Sequence, residues 1–122
     1  IARTALVLVT ASRIDADNSR RYLDAVSTQL GHLFGRNYYG RSFVTGVGAK
    51  PPLHPHHRPS IADGIEPPWP GLLVGGPSKS DQAPATVWQD DSADYTSNEV
   101  AINWNAPLIY ALAAFQPAGE VP

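Results

Sequence analysis

The stretch from about Ser97 to Phe115 reads as a helix that is apolar on nearly every side, and it restricts the fold more than any other part of the chain. Val100, Trp104, Leu108, Ala111, Leu112 and Phe115 make one face; Ile102, Ala106, Ile109 and Ala113 make another. A helix of this kind must be covered on nearly all sides. Only two other segments carry regular patterning, too few to wrap it, so it is expected to have further partners outside these 122 residues. Pro107 has no amide hydrogen and should kink the helix or tighten its first turns.

The first of the other segments, Ile1 to about Ile14, is rich in Ala, Leu and Val. Periodicity leaves both a buried helix and a strand open there. It begins in the middle of an apolar run, and the chain has no Met, so we expect an end made by processing or proteolysis, or an incomplete sequence. The second segment runs from about Asn18 to Phe34. Leu23, Val26, Leu30, Leu33 and Phe34 share a face at spacings of three and four, which predicts a helix. Asp17 is its expected N-cap and Gly35 its stop.

Between the second and third segments lie about sixty residues with nine of the twelve Pro and eight of the ten Gly. Connections longer than about 15 residues are usually functional or disordered. Phe43, Trp69, Trp88 and a cluster of three His lie here, and disordered linkers are poor in aromatics, so an ordered, function-bearing loop is expected. A net charge of -2 argues against nucleic acid or an anionic membrane surface as partner. No apolar run approaches the roughly 20 residues of a membrane helix. Without Cys, disulfides and thiolate metal sites are excluded.

Two constellations carry chemistry. One is Ser42 to Lys50 followed by Pro51-Pro52-Leu53-His54-Pro55-His56-His57-Arg58; the other is Trp88-Gln89-Asp90, Tyr95, Asn98-Glu99-Val100-Ala101 and Asn105-Ala106. In the second, Thr96-x-x-Glu99 fits a capping box at a helix start. Equally, Asp90, Asp91, Asp94 and Glu99 crowd carboxylates beside Trp88 and Tyr95. Like-charge neighbours and partial burial raise a carboxyl pKa, as a general acid needs, and the aromatic faces suit sugar rings. In the first, His54, His56, His57 and Arg58 present donors on a Pro-stiffened segment; they could equally be surface imidazoles, or His54 and His56 could share a zinc ion.

Together these stretches resemble the two signature regions of glycoside hydrolase family 9. The first matches at Ser42, Val44, Thr45, Gly48, Lys50, His56 and Arg58; the second at Trp88, Asp90, Tyr95, Glu99, Ala101, Asn105 and Ala106; Leu73-Val74-Gly75-Gly76-Pro77 resembles the connecting segment. The resemblance implies an all-α chain, residues 1–122 being the C-terminal helices and long loops of an (α/α)6 barrel, incomplete here and part of a single catalytic domain. It further implies hydrolysis of β-1,4-glucan with inversion in a secreted enzyme. Glu99 would be the general acid, with Asp90 and His56 in the catalytic group. Arg58, His57, Tyr95 and Trp88 would contact the sugar. No cofactor would be needed for the chemistry, although Asp63 resembles a structural calcium ligand of some relatives.

Inversion needs a second carboxylate about 6.5–9.5 Å from the acid to activate water. The family's Asp-Ala-Gly-Asp-type base motif does not occur in this sequence. The chain is therefore expected to need the N-terminal remainder of the domain and to be inactive alone. The alternatives are an exo-acting glucosaminidase of the same family, a non-catalytic carbohydrate-binding module using Trp69, Trp88 and Tyr95, and a metal-binding module built on the His cluster.

Overall fold

The computed structural model describes residues 1–77 and 88–117. Four helices follow one another: α1 (Ala2–Ile14), α2 (Ser19–Leu33), the short α3 (Arg58–Ala62) and α4 (Ile102–Ala113). Helix α1 packs against both α2 and α4. Among the described residues the only β-type pairings are isolated bridges, Val44 with Leu73, His56 with Glu99, and Val74 with Val100.

The N-terminal segment, left open between helix and strand by its pattern, is the helix α1. Ala2, Ala5, Val9 and Ser12 are the buried residues of α1, three or four apart, and their small side chains let neighbouring helices approach. Helix α2 buries Val26, Leu30 and Leu33. Its N-cap position is Asn18, not Asp17, and no side chain caps it. Asp15 does the local work, accepting from the Asn18 amide at 3.3 Å, the Asn18 side chain at 3.0 Å and the Tyr22 hydroxyl at 3.1 Å. The end is as expected. Gly35 follows the helix at φ +124, and the Arg36 N–H returns to the Gly31 carbonyl at 2.8 Å, a Schellman closure.

Helix α4 starts later than its pattern suggests, at Ile102 rather than near Ser97. The backbone just before it is committed sideways. Asn98 O accepts from the His56 amide, Val100 N–H donates to His56 O, and Glu99 O accepts from the Gly75 amide. These groups cannot also close helical turns. The capping box does not form either: the Thr96 hydroxyl donates to Asp94 at 2.6 Å. Pro107 lies inside α4. It leaves the carbonyl four residues back, Asn103 O, without its helical donor, and Arg3 Nε of α1 donates to that carbonyl at 3.3 Å. A second tie runs from Arg13 to the Tyr110 hydroxyl at 3.0 Å.

Pro107, Leu108 and Ala111 bury one side of α4 inside the chain. The other side is bare: Ile102 is 79% and Ile109 68% exposed, and Val7 and Ile14 of α1 are exposed as well. That is the unfinished apolar surface expected from the sequence.

The Pro- and Gly-rich region is ordered by side chains that bond to backbone. Thr45 Oγ1 donates to Trp69 O at 2.6 Å and accepts from the Leu72 amide at 2.9 Å. Asn105 of α4 brackets Leu73, accepting from its N–H at 2.8 Å and donating to its carbonyl at 2.9 Å. Gly48 has φ +78, and a Cβ there would meet Phe34 O at 2.7 Å. Phe43 is buried among the rings of His32, Tyr39 and Trp88. Ser42, Thr45, Gly48 and Asn105 of the signature stretches thus build the scaffold.

Candidate functional site

The parallel bridge between His56 and Glu99 joins residues 43 positions apart, one from each chemistry-bearing stretch. His56 Nδ1 lies 2.6 Å from Ser92 O. A carbonyl only accepts, so Nδ1 carries the hydrogen and Nε2 is left for other partners. The Tyr95 ring stands 6.4 Å from the His56 ring and is 67% exposed.

The four acids of the second stretch divide sharply. Asp90 accepts from the Leu53 amide at 2.7 Å and the His54 amide at 2.9 Å, with Arg41 at 3.6 Å. It pins the turn that leads into His56. Asp91 accepts from the Ala93 amide at 2.9 Å. Asp94 takes the Thr96 and Ser97 amides and both their hydroxyls. Partial burial pushes the Asp94 carboxyl up, but these hydrogen bonds, led by Ser97 and Thr96, together outweigh it and hold the carboxyl below its usual value. Among the described residues the half-buried Glu99 is the one member of the four whose carboxylate has no protein partner.

Asn98, fully buried, donates to His54 O at 2.7 Å and Asp91 O at 3.1 Å, tying the two stretches together beside Glu99. Arg41 lies 4.2 Å over the Trp88 ring. Phe43 meets that ring edge-on and the indole N–H donates to Ser97 O at 3.1 Å. The Trp88 face under Arg41 is therefore closed to a sugar. Sequence reasoning missed Arg41 and gave Asn98 no role. No motif marked Arg41, whereas the position of Asn98 beside Glu99 was the available signal.

Arg58 is exposed at the first residue of α3. His57 Nδ1 lies 2.9 Å from Ser60 Oγ, and its ring meets Trp69 at 5.5 Å. Asp63 accepts from the Ile65 amide at 2.9 Å and from the Trp69 indole at 2.6 Å. Among the described residues no group of three or more His, Cys, Asp or Glu is gathered closely enough to hold a metal ion. A concavity of about 590 Å³ lies elsewhere, between Arg3, His32, Tyr39, Phe43, Gly75 and Trp104; none of Glu99, His56 or Tyr95 lines it.

The family model for glycosyl hydrolase family 9 matches residues 1–112. The chain belongs to glycosyl hydrolase family 9.

Family 9 relatives show the same relation along the chain and in space. Endoglucanase D of Acetivibrio thermocellus is 50% identical over 99% of this chain and 19% of its own length. A xyloglucan-specific endo-beta-1,4-glucanase of Bacteroides ovatus is 46% identical over 76% of this chain and 17% of its own length. Among solved structures, a Bacteroides ovatus family 9 protein superposes with TM-score 0.80 at 41% identity, over 90% of this chain and 19% of that one. Endoglucanase CelQ from Clostridium thermocellum, solved with cellotriose, gives 0.75 at 26% identity, over 99% and 22%. The chain thus spans about a fifth of the length of the relatives it matches. Its helices and long loops are a portion of the family 9 (α/α)6 barrel, all-α as expected.

Proposed function

We propose that this family 9 chain supplies the general acid of a secreted enzyme that hydrolyses β-1,4-glucan with inversion. Glu99 protonates the glycosidic oxygen as the C1–O bond breaks, leaving as carboxylate. A base from outside these 122 residues removes a proton from the water that attacks C1 on the opposite ring face. The observation that carries this reading is the uncommitted Glu99 carboxylate, beside His56 in the backbone pairing, while its three acidic neighbours are spent on hydrogen bonds within the chain. Proton donation requires a carboxyl that substrate can reach and that no internal donor holds ionised.

His56 and Arg58 hydrogen-bond the sugar at the scissile bond, His57 assists, and Tyr95 lines the cleft. Asp90 is a positioning residue, because its oxygens face the amides of Leu53 and His54. Trp88 also supports the site, through Arg41. The chemistry needs no metal. The names of the endoglucanase relatives support the substrate class. Among the described residues no helix is long and apolar enough to cross a membrane.

The test is Glu99→Gln in the full-length protein. Loss of a general acid costs about 10²–10⁴-fold. Activity on cellulose should fall by that factor, while aryl glycosides with good leaving groups, which need little protonation, should be spared. Equal losses on both substrates would mean that Glu99 has another role.

A further inference from the structure

We propose that Trp69 forms a further glucose-stacking subsite of the same cleft, held in place by Asp63 and His57. This rests on the glycan reading of the Glu99 site. The indole is held at two points: its N–H donates to Asp63 at 2.6 Å, and His57 stands against its ring at 5.5 Å and 71°. The backbone beneath it is held too, the Trp69 carbonyl accepting from the Thr45 hydroxyl at 2.6 Å. Asp63 is itself oriented by the Ile65 amide and His57 by Ser60. Yet Trp69 remains 50% exposed.

A large apolar ring that is rigid before binding loses little conformational freedom when a ligand covers it. Its position gives the ligand. His56, bridged to Glu99, meets Tyr95, and the next residue, His57, meets Trp69. Two exposed aromatic rings thus attend two imidazoles adjacent in the chain. The flat C–H face of a β-linked glucose, one or more units from the scissile bond, matches the free indole surface. Trp88 cannot serve in the same way on the face that Arg41 covers.

The experiment compares wild type, Trp69→Ala, Trp69→Phe and Asp63→Ala in the full-length protein, on cellohexaose and on an aryl β-cellobioside. A contact that binds ground state and transition state alike appears in KM. Covering one sugar face is worth about tenfold. Trp69→Ala should therefore raise KM for cellohexaose about tenfold, and for the aryl cellobioside at most half as much. Trp69→Phe should recover most of the loss, and Asp63→Ala should show the same dependence on chain length at smaller size. Equal effects on both substrates, or no change in KM, would overturn the subsite. If Trp69→Ala does not fold, Asp63→Ala decides by the same criterion. Glu99→Gln is assayed alongside: full cellulose hydrolysis by that variant sinks the acid assignment, whereas the Trp69 result is read from chain length alone.

Discussion

Asn105→Ala should loosen the segment that carries the backbone of Glu99. In α4 the Asn105 amide accepts from the Leu73 N–H at 2.8 Å and donates to Leu73 O and Ala101 O, each at 2.9 Å. Leu73 is buried, so alanine leaves its N–H and carbonyl without partners. An orphaned buried polar group costs about 1–3 kcal/mol. Partial entry of water relieves some of this, which leaves about 2–4 kcal/mol for the pair. That is a large share of a typical stability of about 5–15 kcal/mol. Two residues on, the Gly75 amide bonds to Glu99 O at 2.9 Å, so the disturbance reaches the acid. Hydrogen exchange on the full-length variant should show the Leu73 amide losing about 30- to 1000-fold in protection. kcat should fall with it. Protection of Leu73 within threefold of wild type would refute the bracket as a stabilising device.

Asp90→Asn keeps one acceptor oxygen but loses an amide bond and the Arg41 ion pair. It should cost about 1–3 kcal/mol in denaturant titration and lower kcat on cellulose, and an unchanged kcat would remove Asp90 from any positioning role. Asp94 has a folded-state pKa below its ordinary value of 3.8, so its stabilising effect is complete above that value and is lost as pH falls through the folded pKa. The stability gap between wild type and Asp94→Ala should shrink below about pH 3.8; a gap that stays constant down to about pH 2 would contradict the assignment. Exhaustive chelation of zinc should leave hydrolysis intact, and activity lost and restored only by adding zinc back would revive a metal role for the His54 and His56 cluster.

Much of the helical frame was legible from pattern. The spacing of Val26, Leu30 and Leu33 marked α2, and Gly35 marked its end, because both are local requirements of one helix. The nearly all-apolar third segment announced a helix larger than its chain could cover, and Ile102 and Ile109 are exposed accordingly. The signature residues singled out His56 and Glu99 together, and their backbones pair in a parallel bridge. Pattern failed where a residue's partners lie far along the chain. Ser97 to Val100 look helical, but the carbonyls of Ser97, Asn98 and Glu99 are taken by the amides of Gly76, His56 and Gly75, and the Val100 amide by His56 O.

The sequence by itself therefore determined which side chains are apolar, where turns must relax backbone strain, and which four acids crowd one stretch. It did not distinguish those acids. Asp90, Asp91, Asp94 and Glu99 carry the same functional group within ten residues. Only the tertiary structure decided that Asp90 is spent on the amides of Leu53 and His54, Trp69 on Asp63, and Glu99 on nothing in the described chain. A carboxylate's availability depends on which donors reach it through space, and the donors to Asp90 sit 36 and 37 residues away, where no local pattern can register them.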